Sequence, residues 1–280
     1  GSPQPHRRVT SSVILRMVVR PRSLSVSWPT MTAALLILFA AAPPGQVFLP
    51  AIEFERGSDR APDEQPVRPI FVDAFAIDRV EVSIDAFDQF ARKAWDDDLV
   101  WSPEGRAWRD ANGRGAGSEM RHAGRKGNHP VVAVSWYEAD AYCRWVGGRL
   151  PTETEWERAA CDGGRELYPW GSTQPDGVRW SANTAAAGVM RVDTAPVAED
   201  PHPGPTGLRH MIGNVWEWTS DWYHREAYSA GGNKNPQGPE SGTWKSIRGG
   251  SFANLPSYST CTHREPANPS DVRLTLGFRC

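Results

Sequence analysis

Sulfur and imidazole are the groups of this 280-residue chain best suited to chemistry. The four cysteines, Cys143, Cys161, Cys261 and Cys280, form an even set confined to the second half. They could be free buried thiols, metal ligands or disulfides. Structural zinc wants closely paired ligands such as CxxC. No such pair occurs, so zinc is the weakest of the three readings. Disulfides require an oxidising compartment. His263 is a candidate acid/base, because an imidazole titrates near neutral pH. No HExxH helix and no Ser–His–Asp order accompanies it, which leaves metalloprotease and triad-hydrolase chemistry without support. The acidic run Asp96-Asp97-Asp98 lacks the Gly and Glu of EF-hand spacing and reads as a solvated surface.

The elements that must position such groups are clearest over residues 129–161. The apolar run Val131 to Val134 reads as a short buried strand. Ser135-Trp136-Tyr137-Glu138 is a capping box, opening a helix that runs to about Val146 and stops at Gly147-Gly148. Thr152-Glu153-Thr154-Glu155 is a second capping box after Pro151, with Trp156, Ala159 and Ala160 on its apolar face. Upstream, residues 47–58 read as a strand and turn, 69–75 and 76–82 as short strands, and Ser83 as the cap of a helix with Ile84, Phe87, Phe90 and Ala91 inward. Residues 101–126 are rich in Gly and Arg and read as an irregular loop. Tyr168 to Gly171 is a tight aromatic turn, and Trp216 and Trp218 alternate on a strand that closes at Asp221-Trp222.

A net charge of −2 gives no compositional support for a nucleic-acid surface. The 26 glycines, 24 prolines and 13 tryptophans suit a loop-rich core in which indole N–H groups satisfy stray carbonyls. Residues 1–45 read as a leader: scattered arginines, an apolar run from Ala33 to Ala42, then Pro43-Pro44-Gly45. The run is short for a bilayer span and fits a signal peptide. Export to the periplasm or medium is therefore expected, with membrane attachment only through an uncleaved leader.

The ordered motifs AYCRW (141–145), GRLPTETEWERAA (148–160), YPWG (168–171), GNVWEWTSDW (213–222), RGGSF (248–252) and the terminal GFRC resemble the formylglycine-generating enzyme, or sulfatase-modifying factor, family. The resemblance covers residues 46–280 as one domain. It implies an α+β fold of the C-type-lectin-like type with little regular secondary structure. It also implies the pairing Cys143–Cys280 and Cys161–Cys261. Bridges closing loops this long contribute about 4–5 kcal/mol each in the chain-entropy model.

In that family two cysteines after the RGGS motif hold copper(I) and oxidise a substrate cysteine to formylglycine. Here Asn254 stands at the first position and the second has no counterpart. With every thiol assigned to a bridge, copper is not expected. Structural calcium is implied at two places, the first comprising Asn183, Thr184 and Asp193. The second comprises His210, Gly213, Val215 and Glu217, with His210 where Asn or Asp belongs. Iron stays open, since a related branch uses it with ligands from an additional helical domain. Ser251, Asn254, Tyr258 and His263 are the candidate catalytic residues, and Arg264 and Arg279 read as structural donors.

Branches lacking the cysteine pair include an exported factor of siderophore chromophore maturation. The favoured expectation is thus a monomeric, exported maturation factor or oxidase-like accessory. Its substrate would be a protein or a peptide-derived small molecule such as a siderophore precursor. A lectin-like binding module for a peptide, glycan or protein is the alternative, and sulfatase activation the less favoured third.

Overall fold

Two nested antiparallel pairs begin the domain. Strand β1 (Gln46–Leu49) pairs with β4 (Phe75–Asp78), and inside them β2 (Ile52–Arg56) pairs with β3 (Arg68–Val72). Phe54, Ile70 and Val72 fall on one face of the inner pair and form a small apolar cluster, as side chains two residues apart must on a pleated strand. These coordinates are a computed structural model that describes residues 1, 42–115, 118–122, 124–164, 166–172, 193–200 and 203–280. The apolar run of the expected leader lies almost wholly outside the described residues. Among the described residues no helix is long and apolar enough to cross a membrane.

Ser83 caps α1 (Ile84–Lys93), its hydroxyl accepting from the Ala86 N–H, and Ile84, Phe87 and Phe90 turn inward. The region expected to be an irregular loop instead contains α2 (Pro103–Asn112) and the short α3 (Ser118–His122). Ser102 caps α2 and Pro103 occupies its first turn, where a missing N–H costs nothing. Burial of Trp108, stacked 5.9 Å from Tyr137, then fixes the helix on the core. Its Arg and Gly content had masked an ordinary start signal.

Both capping boxes are formed. Ser135 opens α4 (Trp136–Trp145) and Thr152 opens α5 (Glu153–Cys161), with Glu138 and Glu155 reaching back to the cap N–H groups. The preceding run Val131–Val134 is fully buried but is not a strand. Ala133 has φ +53°, which breaks an extended ladder. Its backbone N–H groups go to Val82 and Arg273 carbonyls instead.

The second half is a four-stranded sheet in the order β7-β6-β5-β8. It comprises β5 (Trp216–Trp222), β6 (Lys245–Arg248), β7 (Arg264–Ala267) and β8 (Leu276–Gly277), with a short helix α6 (Ala227–Ala230) between β5 and β6. β8 runs parallel to β5, and the β5–β6 and β6–β7 pairs are antiparallel. One core cluster joins α1, α2 and α4 to this sheet, and a second centres on Trp156, Tyr168 and Met211. Disulfides Cys143–Cys280 and Cys161–Cys261 tie α4 and α5 to the C-terminal segments. This pairing is the one the family resemblance implies. The result is an α+β fold with modest regular secondary structure.

Candidate active site

Strand β5 presents Trp216, and the segment from β6 to β7 wraps around that ring. Gly249 and Gly250 make the wrap feasible: φ is +93° and +73°, and a Cβ on Gly250 would meet the Ser259 hydroxyl at 2.0 Å. Only glycine takes such a path without strain. Beyond this turn the Asn254 side-chain oxygen accepts from the Ser251 N–H (3.1 Å), the Ser251 hydroxyl and the Trp216 indole N–H (2.9 Å). On the other side of Trp216, the His263 ring lies 5.9 Å away and the Tyr258 ring meets His263 edge-on at 5.5 Å. All four candidates therefore gather around one indole, in unequal states. Ser251 is buried and bonded, Asn254 is spent on capping, and Tyr258 is exposed.

His263 alone retains titratable chemistry. Its Nδ1 lies 3.7 Å from Glu64 Oε1 and its Nε2 lies 3.3 Å from Glu265 Oε1. Burial by itself would push the imidazole pKa down, but attraction to the Glu265 and Glu64 carboxylates outweighs it and leaves the pKa raised. Glu64 and Glu265 were not evident as site residues from sequence. Glu64 comes from the 3-10 turn Pro62–Glu64, nearly two hundred residues away in the chain.

Beneath the site lies a buried ionic layer. Glu153, at the start of α5, binds Arg264 through both oxygens (2.7 and 2.6 Å) and faces Arg248 at 3.3 Å and Arg56 at 3.6 Å. Burial would raise its pKa, yet the three guanidiniums win and hold it down at about 2. Arg264 is thus structural, although its main acceptor is a carboxylate and not only the Asp63 and His224 carbonyls. Arg279 behaves alike, gripping Glu217 and three backbone carbonyls.

Copper(I) does not fit these residues. It wants a pair of thiolates at this position, all four cysteine sulfurs are in disulfides, and the Asn254 oxygen already accepts three donors. Calcium at the second family position fares little better. Glu217 is engaged by Arg279 and by the Trp156 indole, and the His210 imidazole faces the Pro196 carbonyl at 3.3 Å. A hard dication wants several oxygen ligands, and a carboxylate already neutralised by a guanidinium beside an imidazole is a poor offer. At the first position Asn183 and Thr184 lie outside the described residues. Asp193 is paired with Arg125 and caps the Thr194 N–H.

An α+β fold of the formylglycine-generating-enzyme type, with its cysteines joined in disulfides, is the class this structure defines. The comparisons agree on the family: the sulfatase-modifying factor enzyme 1-like domain matches residues 38–280, and the chain belongs to that family. It is 36% identical over 282 residues to the formylglycine-generating enzyme of Mus musculus, spanning 83% of this chain and 73% of that protein. It is also 36% identical over 238 residues to serine/threonine-protein kinase pkn1 of Chlamydia caviae. There the match covers 84% of this chain but only 37% of the relative's length. Among solved structures, PvdO from Pseudomonas aeruginosa superposes with a TM-score of 0.66 at 26% identity, over 84% of this chain and 92% of that one.

Proposed function

We propose that this protein is an exported maturation factor that acts on a peptide-derived product, such as a siderophore precursor, without copper–thiolate chemistry. The observation that carries the reading is the state of the site. No thiol is free and the Asn254 oxygen is engaged, while the His263 imidazole, its pKa raised, remains beside Trp216 and the exposed Tyr258. The chain's own groups therefore supply proton transfer at His263 and aromatic surface for orientation. The likeness to PvdO over nearly the whole of that chain supports the shared fold, and the choice against the sulfatase-activating branch rests on the missing thiol pair. Two disulfides and the signal-like leader support export.

The test is replacement of the native copy by His263→Ala and Tyr258→Phe variants, followed by profiling of the secreted products. Accumulation of an unmatured precursor in the His263→Ala strain supports the proposal, and an unchanged profile overturns it. A non-catalytic binding module is the second reading, favoured by the mutual bonding of Ser251 and Asn254, which leaves neither poised as a nucleophile. Turnover of any precursor by the purified protein would remove that reading.

A further inference from the structure

We infer that Glu64 is the positioning residue of the site: its buried carboxylate holds the Nδ1 edge of His263 and turns Nε2 toward substrate. The inference rests on the reading of His263 as the acid/base group, and it concerns a residue more than 190 positions away in the chain. Glu64 is 2% exposed. One of its oxygens is already satisfied, since Oε2 accepts from the Ser58 hydroxyl and from Thr262 Oγ1 at 2.7 Å. Oε1 is left facing the imidazole at 3.7 Å. A buried carboxylate keeps its charge only when donors surround it. Two hydroxyls on one oxygen and an imidazole edge before the other make such an arrangement. The 3.7 Å gap is longer than a formed hydrogen bond, so the carboxylate acts on the ring through its charge.

The other groups around His263 identify which edge works. Glu265 on β7 faces Nε2 at 3.3 Å with its side chain 40% exposed, Tyr258 meets the ring edge-on, and Trp216 on β5 lies beside it without a titratable group. Arg248 adds positive field behind Glu64. Glu64 is dry and fixed, whereas Glu265 is wetted and its interaction screened. The neutral imidazole should therefore keep its proton on Nδ1, toward Glu64. In the imidazolium, Nε2–H gives a proton to a substrate atom as general acid. The neutral ring this leaves holds its remaining proton on Nδ1, so the Nε2 lone pair can accept a proton as general base, and water supplies or removes the balancing proton. No electron changes hands in these steps.

Thr262 and Ser58 also line a cavity of about 500 Å³. The two hydroxyls that hold the Glu64 carboxylate thus belong to residues of that cavity's lining.

The test is nitrogen-15 NMR of the His263 ring in the full chain, without substrate, over a pH titration. Wild type should titrate above the ordinary histidine value, with the neutral form protonated on Nδ1. Glu64→Gln should lower the His263 pKa by roughly one unit and mix the two tautomers, whereas Glu265→Gln should lower the pKa and leave the tautomer intact. An unchanged pKa and tautomer in folded Glu64→Gln overturns the inference. Should that variant not fold, Glu64→Asp keeps the charge but withdraws it by one methylene. It must then shift the pKa by a smaller amount, and no shift overturns the inference equally. Because no substrate is present, failure to find turnover would count against the proposed function alone, leaving this result standing.

Discussion

Glu153 sits at the start of α5 as a fully buried carboxylate ringed by Arg264, Arg248 and Arg56. Removing one member of a buried ionic set leaves the others uncompensated, at a cost of about 3–5 kcal/mol. Glu153→Gln is accordingly expected to lower unfolding free energy by that amount in denaturant titration. The pH dependence has a definite sign. Its folded pKa of about 2 lies below the ordinary value of 4.5. Its stabilisation is therefore complete above the unfolded value and lost as pH falls from 4.5 through about 2. His263 has the opposite sign. With its folded pKa raised above 6.5, its contribution is complete below 6.5 and lost as pH rises through the folded value. Near-neutral stability curves of wild type and His263→Gln should therefore converge as pH rises; parallel curves would contradict the assignment. Calcium supplies a third residue-scale expectation. With Glu217 bound to Arg279 and His210 facing a carbonyl, this position should add no calcium-dependent shift: the Tm difference between excess EDTA and millimolar calcium should be the same in His210→Ala as in wild type. A site filled at about 100 times its Kd would add about 2.7 kcal/mol, so a difference between the two proteins would show plainly.

At the scale of elements, what could be read in sequence was what is encoded locally. Both capping boxes, the Ser83 cap and the β5 alternation need only three or four neighbouring residues, and each is found where its residues stand. Thr152→Ala should cost about 1 kcal/mol, measurable by thermal unfolding; no loss would mean that Pro151 and tertiary packing set the helix start unaided. Long-range satisfaction is where local reading failed. The Val131–Val134 run is apolar enough for a strand, but its N–H groups find partners in distant loops. Helix α2 looks polar in sequence, and one buried Trp108 secures it. Trp108→Ala should cost about 3–5 kcal/mol and release α2 from the α4 face, seen as lost hydrogen-exchange protection confined to residues 103–112.

Across the whole molecule, the family was legible because its motifs are numerous and ordered, while the working site was only half legible. Ser251, Asn254, Tyr258 and His263 lie within a thirteen-residue stretch and converge on Trp216. Glu64 reaches the same place from a separation of 198 residues, measured at its Thr262 bond, and no spacing rule could have placed it. The disulfides bind these distant parts, with separations of 137 and 100 residues. Cross-links of that length contribute about 4–5 kcal/mol each in the chain-entropy model, so reductant should unfold the domain at markedly lower denaturant. They also consume every thiol, and on this the functional account turns. Intact mass after thiol alkylation under denaturing conditions, with and without prior reduction, measures it directly. The account predicts no label before reduction and four labels after it. Two labels before reduction, together with copper bound to the native protein, would contradict it and restore sulfatase activation.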